Sequence, residues 1–115
     1  MLLIIGGKAS GKLDYAKSLG YVDAQISDAG IDERPVVNHL ESIVSEDPEN
    51  AKNLLPRLLE KDIVICDEMG SGIVPMDRTQ RVIREETGRL CIELAKEAKT
   101  VVRMFCGIPT VIKGE

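Results

Sequence analysis

Apolar residues in this chain fall into short runs that are separated by polar or helix-patterned segments. The runs lie at residues 2–5, 36–40, 61–66 and 100–106, with a weaker one at residues 21–26. Short apolar runs without strict alternation are typical of strands that are covered on both faces. The pattern therefore predicts four strands and a fifth, weaker candidate, spread along the whole chain.

Helix signals lie between these runs. The first helix is predicted over residues 10–19 and ends at Gly20, a residue type favoured just after a helix C-terminus. A second helix starts near Pro48, behind Asp47 as its N-cap, and is broken or kinked at Pro56. Each of these helices joins two predicted strands.

The longest predicted helix begins at Asp77, and Gln80 three residues on completes a capping-box pattern. Its inward stripe has helical spacing and consists of Ile83, Thr87, Leu90, Leu94 and Ala98. The last strand follows directly and ends at residues 107–109. Strands that alternate with helices predict an α/β fold with a mainly parallel sheet, in which ligands bind at the carboxyl ends of strands.

Length and charge limit the classes of protein that fit. A chain of 115 residues suits a single domain, residues 1–115. The net charge is −4 and only three residues are aromatic, so we expect no nucleic-acid partner. The apolar start, residues 1–5, has no basic flank and is too short for a signal or spanning helix. We therefore expect a cytoplasmic protein without a membrane partner.

A glycine-rich segment follows the first apolar run and opens the first predicted helix. Its spacing fits G-x-x-x-x-G-K from Gly6 to Lys12, a phosphate-binding loop whose backbone N–H groups and lysine hold phosphate oxygens. The next residue is normally a Ser or Thr that binds Mg²⁺, but here it is Leu13. The predicted nucleotide-binding residues of this loop are Gly6, Gly7, Lys8, Ala9, Ser10, Gly11, Lys12 and Leu13. The alternative is a tightly packed turn that binds nothing.

A second candidate for nucleotide chemistry is the apolar run at residues 63–66, which is followed by Asp67 and Glu68. A parallel sheet brings these acids to the same edge as the glycine-rich loop. An acid in this position holds Mg²⁺, directly or through water, in phosphate-loop enzymes. We therefore predict Lys12, Asp67 and Glu68 as catalytic residues and Asp67 as the metal ligand. The alternative for either acid is a solvated loop residue.

His39 is the only histidine, and the pattern places it inside the strand predicted over residues 36–40. Along a strand, Glu41 points to the same side as His39 and would be its orienting carboxylate. A lone strand histidine is more often packed or hydrogen-bonded than catalytic. We therefore leave His39 out of the predicted site, with catalysis as the less favoured alternative.

Residues 67–75 resemble the Asn-Glu-Val-Gly-x-Gly-Ile-Val-Pro signature of the bifunctional adenosylcobinamide kinase / adenosylcobinamide-phosphate guanylyltransferase family. The similarity continues through residues 77–98 and ends in residues 107–113. The family also begins with a Gly-Gly-x-x-Ser-Gly-Lys-Ser loop, which residues 6–12 match in place and spacing. The chain therefore resembles a shortened, divergent member of this family.

The resemblance implies a phosphate-loop NTPase-like, three-layer α/β fold that acts in cobalamin biosynthesis. Members of the family phosphorylate the aminopropanol hydroxyl of adenosylcobinamide, a corrinoid, with a nucleoside triphosphate. They then transfer GMP from GTP through a guanylylated histidine. Members assemble as symmetric oligomers, typically trimers, so a homo-oligomer is expected here.

The chain also departs from the family pattern. Leu13 replaces the loop serine, and Asp67 stands where the family has Asn. The segment that bears the guanylylated histidine has no counterpart, because residues 28–35 simply bridge to the next strand. Asn38 takes the place of the acid that contacts the nucleotide, so the resemblance makes Asn38 a nucleotide-binding residue.

These observations lead to three hypotheses of function. The leading one is a compact relative that binds ATP or GTP at residues 6–13, with Mg²⁺ as its cofactor, and retains kinase-type phosphoryl transfer without the guanylyltransferase step. The alternative is a non-catalytic nucleotide-binding or regulatory relative of the enzyme. The third is a protein with the same fold whose site is vestigial and binds neither nucleotide. No motif that reads a base is recognisable, so the choice between ATP and GTP stays open.

Overall fold

The fold is built on one mixed sheet. The computed structural model describes residues 1–68 and 77–114, and the glycine-containing signature segment after Glu68 lies outside them. Within these ranges the sheet has six strands. They are β1 (Leu2–Gly6), β2 (Ile26–Asp28), β3 (Val36–Asn38), β4 (Ile63–Asp67), β5 (Thr100–Phe105) and β6 (Ile108–Lys113).

Helices cover both faces of this sheet. The α-helices of the described ranges are α1 (Lys12–Ser18), α2 (Leu40–Glu46), α3 (Leu55–Leu59) and α4 (Arg78–Glu97). Short 3₁₀ segments occupy Asp23–Gln25 and Pro48–Leu54. Of the helices that the structure describes, none combines the length and the apolar character needed to cross a membrane.

β1 lies inside the sheet, whose strand order is β2-β3-β4-β1-β5-β6. It pairs in parallel with β4 and β5, so Gly6 lies beside Asp67 on one side and Met104 on the other. Among the described strands only β6 runs antiparallel, to β5. The predicted α/β fold with a mainly parallel sheet is confirmed, and the carboxyl ends of β1, β3 and β4 meet at one edge.

Apolar side chains pack on both faces of the sheet, which gives the fold three layers. On one face, Leu3 shares a cluster with Leu58 of α3 and Leu94 of α4. On the other face, Ile4 shares a cluster with Ala16 of α1. Because successive strand residues point to opposite faces, β1 is covered on both sides, as its uninterrupted apolar sequence predicts.

The long helix α4 begins as its sequence predicts. Asp77 Oδ1 accepts a hydrogen bond from the Gln80 backbone N–H at 2.8 Å, and Gln80 Oε1 accepts one from the Asp77 N–H at 3.2 Å. This reciprocal pair satisfies backbone donors that have no partner within the helix. Thr87, Leu90 and Leu94 of the predicted stripe are buried.

Two strand predictions are misplaced. The run at residues 21–26 is not a strand, because Asp23–Gln25 forms a 3₁₀ turn and β2 starts only at Ile26. The Gln25 side chain accepts a hydrogen bond from the Val22 N–H at 3.0 Å, which favours a local turn over strand pairing. The run at residues 36–40 ends as a strand at Asn38, since His39 adopts a left-handed conformation (φ 58°, ψ 54°).

Two further boundaries differ from the prediction. The segment from Pro48 forms a 3₁₀ helix, and Pro56 lies in the first turn of α3, where proline is tolerated, so it does not kink a longer helix. The chain also continues past residue 109 into β6, after a turn with positive φ at Cys106 and Gly107. β6 is held by its pairing with β5, which local sequence patterns do not reveal.

Candidate functional site

The candidate site lies where β1 ends beside β4. The register places Gly6 opposite Asp67, and the Glu68 N–H donates to the Gly6 carbonyl at 2.7 Å. The glycine-rich loop and the acids after β4 are therefore neighbours, as the parallel arrangement predicts. This edge is the usual ligand site of a parallel sheet.

The shape of the loop depends on two of its glycines. A Cβ at Gly6 would lie 2.6 Å from both the Met104 carbonyl oxygen and Ser10 Oγ, closer than real Cβ contacts. Gly11 has φ 93°, a conformation that side chains with a Cβ rarely adopt. By contrast, a Cβ at Gly7 would meet nothing within 4 Å. Only Gly6 and Gly11 of these three are therefore required by the backbone path.

The loop leaves its main-chain donors available. None of the amide N–H groups at residues 7–13 donates to a backbone carbonyl within the described residues. The loop is held by other groups: the Ser10 carbonyl accepts from the Gly107 N–H at 3.0 Å, and the Gly11 carbonyl accepts from the Tyr15 N–H at 3.0 Å. An anion bound here would not have to break internal amide hydrogen bonds.

Lys12 folds back over this loop. Its side chain is only 6% exposed, and Nζ donates to the Gly7 carbonyl at 2.6 Å. The same Nζ lies 2.7 Å from Asp67 Oδ1 and 3.4 Å from Ser10 Oγ. A buried ammonium group needs such partners because it has lost its water. The two predicted catalytic residues Lys12 and Asp67 thus form an ion pair inside the loop.

The two predicted acids have different surroundings. The Asp67 N–H donates to Glu41 Oε1 at 2.9 Å, which anchors the end of β4 to α2. The other carboxylate oxygen of Glu41 is buried without a hydrogen-bond partner in the described part of the chain, and burial raises the pKa of Glu41. Glu68 Oε1 instead accepts a hydrogen bond from Arg103 Nε at 3.0 Å, and the Glu68 side chain is partly exposed. Glu68 therefore lies beside the loop and is engaged by an arginine.

Leu13 occupies the position at which a hydroxyl is expected. Its side chain is half-buried and packs against the apolar cluster between α1 and the sheet. It offers no oxygen to a metal ion. Among the described residues, no group of three or more His, Cys, Asp and Glu side chains is arranged to hold a metal. Asp67 is thus the one predicted ligand that the structure places at the loop.

A histidine that sequence reasoning left out lies at the same edge. His39 Nδ1 is 2.5 Å from Asp28 Oδ1, and the same oxygen accepts a hydrogen bond from Asn38 Nδ2 at 3.2 Å. Glu41, expected to orient His39, instead holds the Asp67 backbone. The hydrogen bond to Asp28 raises the pKa of His39, and the charges of Glu41 and Asp67 act in the same direction. The sequence analysis missed the His39–Asp28 pair because it placed His39 within a strand instead of in a left-handed turn.

A cavity of about 400 Å³ brings most of these residues together. Its lining includes the predicted site residues Lys8, Ala9, Ser10, Gly11, Lys12, Leu13, Asn38 and Asp67, together with Asp14 and His39. Gly6 and Gly7 form the loop but are not part of this lining, and Glu68 lines a neighbouring cavity. The structure therefore places the predicted loop, Asn38 and Asp67 around one space.

Comparison with known proteins agrees with the resemblance seen in the sequence. The family model for cobinamide kinase / cobinamide phosphate guanyltransferase matches residues 33–112, a range that includes Asn38, His39 and Asp67 but not the glycine-rich loop. No curated protein matches the chain. Because the family match spans more than half of the 115 residues, the chain belongs to the cobinamide kinase / cobinamide phosphate guanyltransferase family.

Proposed function

We propose that this chain binds a nucleoside triphosphate at residues 6–13 and transfers its terminal phosphoryl group to the hydroxyl of a cobinamide-type corrinoid. The observation that carries the proposal is the position of Lys12, whose buried Nζ lies within the loop, 2.6 Å from the Gly7 carbonyl. The amide N–H groups of residues 7–13 donate to no backbone carbonyl of the described residues and are available to phosphate oxygens. Family membership supports the corrinoid as acceptor, and the nucleotide is ATP or GTP.

Catalysis of phosphoryl transfer depends mainly on positioning the reacting groups and stabilising the charge of the transferred phosphoryl group, and less on covalent chemistry by the protein. The loop amides would orient the phosphates, and Lys12 would place a positive charge where negative charge is spread over the transferred group. Phosphate oxygens would then replace Asp67 as partners of the Lys12 ammonium group and weaken the Lys12–Asp67 ion pair. Asn38 lines the same cavity and would contact the nucleotide.

Mg²⁺ would enter with the nucleotide. The site supplies it one carboxylate, Asp67, and no hydroxyl at Leu13, so most of its ligands would be phosphate oxygens and water, as is usual for this ion. Bound in this way, Mg²⁺ supplies charge neutralisation at the phosphates. The protein's own part is to hold the phosphates and the acceptor in line.

Two observations favour the alternative of a non-catalytic nucleotide-binding relative. Leu13 packs into the apolar cluster instead of offering a metal ligand, and Asp67 is already paired with Lys12 at 2.7 Å. A protein of this kind would bind nucleotide without needing Mg²⁺ and would not turn it over. The guanylyltransferase step is absent from both proposals, because no counterpart of the guanylylated-histidine segment is present in the sequence.

The chain is further proposed to act as a single domain, residues 1–115, within a homo-oligomer that is a trimer as the family resemblance implies. Exposed apolar side chains at the β5–β6 hairpin support contact between copies, namely Phe105, Ile108, Val111 and Ile112. Large apolar side chains that stay exposed close together are a usual mark of an interface.

Titration calorimetry of the purified chain with ATP and with GTP, each with and without Mg²⁺, tests the proposed function. We expect binding of at least one nucleotide that tightens with Mg²⁺, and phosphate transfer to adenosylcobinamide followed by mass spectrometry. Binding that is independent of Mg²⁺, without transfer, would support the non-catalytic alternative. Absence of binding by either nucleotide at millimolar concentration would contradict both proposals.

The substitution Leu13→Ser is expected to increase the dependence of nucleotide affinity on Mg²⁺. A serine hydroxyl restores the ligand that phosphate-loop proteins normally use for the ion, and we expect the ratio of affinities with and without Mg²⁺ to rise about tenfold, the effect of one good ligand contact. Leu13→Ala is the matched control, since it removes the same apolar contacts without adding an oxygen. An unchanged ratio for Leu13→Ser would contradict this account of position 13.

A further inference from the structure

His39 lies at the boundary of two cavities. The first, of about 400 Å³, follows the glycine-rich loop, and the second, of about 480 Å³, adjoins it. Lys8, His39 and Asp67 line both of them. The second cavity is completed by Asp28, Ala29, Glu41, Ser42 and Glu68. The His39 side chain can therefore contact a ligand that is bound in either cavity.

The backbone and Asp28 fix the direction of the imidazole. His39 lies directly after β3 in a left-handed conformation, with φ 58°. Its Nδ1 lies 2.5 Å from Asp28 Oδ1, at the end of β2. The parallel register pairs Asp28 with Asn38, and the Asn38 amide donates to the same carboxylate oxygen. Asn38 thus holds the Asp28 carboxylate in place, and this carboxylate orients the His39 imidazole.

The other ring nitrogen, Nε2, has no hydrogen-bond partner in the described residues. With Nδ1–H donating to Asp28, Nε2 carries the lone pair and can accept a proton. The His39 side chain is 44% exposed, so a ligand can reach it. This is the arrangement of a histidine that a carboxylate holds in one tautomer for proton transfer.

The charges around the second cavity indicate what it can hold. Among the described residues that line it, Asp28, Glu41, Asp67 and Glu68 are acidic, and Lys8 and His39 are basic. Asp67 is paired with Lys12 and Glu68 with Arg103, so Asp28 and Glu41 are the carboxyl groups here that have no lysine or arginine partner among the described residues. They disfavour a further anion, whereas an uncharged or cationic alcohol meets no such repulsion. The first cavity is lined by Lys8 and Lys12 as well as by Asp14 and Asp67, and the available amide N–H groups of the glycine-rich loop make it the better place for phosphates.

We propose that His39, oriented by Asp28, is the catalytic base that takes the proton of an uncharged or cationic alcohol bound in the second cavity. This inference rests on the proposed function, because it needs a nucleoside triphosphate in the first cavity. Asp28 is a positioning residue in this scheme. It acts through the imidazole, which its carboxylate holds in one orientation.

In the proposed step, phosphoryl transfer to the alcohol is accompanied by proton transfer to His39. The acceptor oxygen forms a bond to the γ-phosphorus while its O–H proton passes to His39 Nε2. The bond between the γ-phosphorus and the β–γ bridging oxygen breaks, and its electron pair leaves with the nucleoside diphosphate. His39 ends as an imidazolium, which Asp28 stabilises, and returns its proton to water after product release.

This role predicts a definite dependence on pH. A base must be unprotonated, so the rate should rise as pH increases through the pKa of His39. The hydrogen bond to Asp28 and the charges of Glu41 and Asp67 raise that pKa from its ordinary 6.5, although partial burial opposes them. Lys8 lines the same cavity, and a cation close to an imidazole disfavours its protonated form. The midpoint of the rise should therefore lie above 6.5.

The test compares the wild type with His39→Gln, Asp28→Asn and the control Asp23→Asn, whose carboxylate pairs with Lys17 on the exposed side of α1. Nucleotide affinity is measured by calorimetry, and kcat for phosphate transfer to adenosylcobinamide is measured between about pH 5.5 and about pH 9. We expect His39→Gln to bind nucleotide like the wild type, to lose about 100-fold or more in kcat and to lose the rise with pH. Asp28→Asn should shift the rise to lower pH with a smaller loss, and Asp23→Asn should match the wild type.

Several outcomes would overturn the inference. One is a His39→Gln protein with the wild-type kcat and pH profile. Another is a phosphoryl or nucleotidyl group found covalently on His39 by mass spectrometry, since the residue would then be a nucleophile. A wild type that binds nucleotide but transfers no phosphate also overturns it. If the wild type binds no nucleotide, the proposed function itself is wrong, and calorimetry detects this case independently of the kcat measurements.

Discussion

Replacing Lys12 with methionine is expected to lower nucleoside triphosphate affinity by about 100-fold or more, because it removes charge-assisted hydrogen bonds to phosphate. Methionine keeps most of the length and the apolar stem of lysine but has no ammonium group. The Lys12 tip lies among the loop carbonyl of Gly7, Ser10 Oγ and Asp67, where phosphate oxygens would be bound. Calorimetry with ATP and GTP measures the change.

Lys17→Met is the matched control for this substitution. Lys17 lies in the same helix, and its Nζ is 2.7 Å from Asp23 in an exposed ion pair that is not part of the cavity lining. We expect its nucleotide affinity to equal that of the wild type. Because Lys12→Met leaves the Asp67 carboxylate without its cation, a denaturation curve should confirm that the variant is folded. A folded Lys12→Met protein with wild-type affinity would show that residues 6–13 do not hold the phosphates.

Replacing Leu94 with alanine is expected to lower the free energy of unfolding by about 2–5 kcal/mol, the usual cost of a cavity left by a buried leucine. Leu94 is fully buried, at 0% exposure, and belongs to the cluster that joins α4 to the sheet. α4 packs there against α2, α3 and the 3₁₀ segment Pro48–Leu54. Urea denaturation followed by circular dichroism measures the loss.

The control is Leu19→Ala, which makes the same chemical change at a side chain that is 48% exposed. Removal of an exposed leucine leaves no enclosed cavity, so we expect a change within about 0.5 kcal/mol. If both variants lost the same stability, the burial of the α4 stripe would not be what holds this layer to the sheet.

Much of the fold could be predicted from local patterns. β1 and β4 are uninterrupted apolar runs, and such runs need cover on both faces wherever they lie in the chain. The start of α4 was predictable because Asp77 and Gln80 satisfy backbone donors that the helix leaves open. The glycine-rich loop and Asp67 were expected at one sheet edge because parallel strands bring their carboxyl ends together.

Other features depend on contacts between distant residues. β6 is a strand because β5 offers it an edge, with Val102 opposite Val111 in antiparallel register. Asp28 reaches His39, 11 positions away, because β2 and β3 pair in parallel. No spacing in the sequence encodes the left-handed turn at His39 that directs its ring toward Asp28.

Residue types and short spacings are therefore enough to predict the α/β class, the phosphate-loop pattern with Leu13 in place of a hydroxyl, and the family resemblance. The pairs that form the site could be seen only in the folded chain: Lys12 with Asp67, Asp67 with Glu41, and His39 with Asp28. The physical reason is that these contacts are set by strand register and by one backbone turn. Both follow from the packing of the whole sheet, which local sequence does not specify.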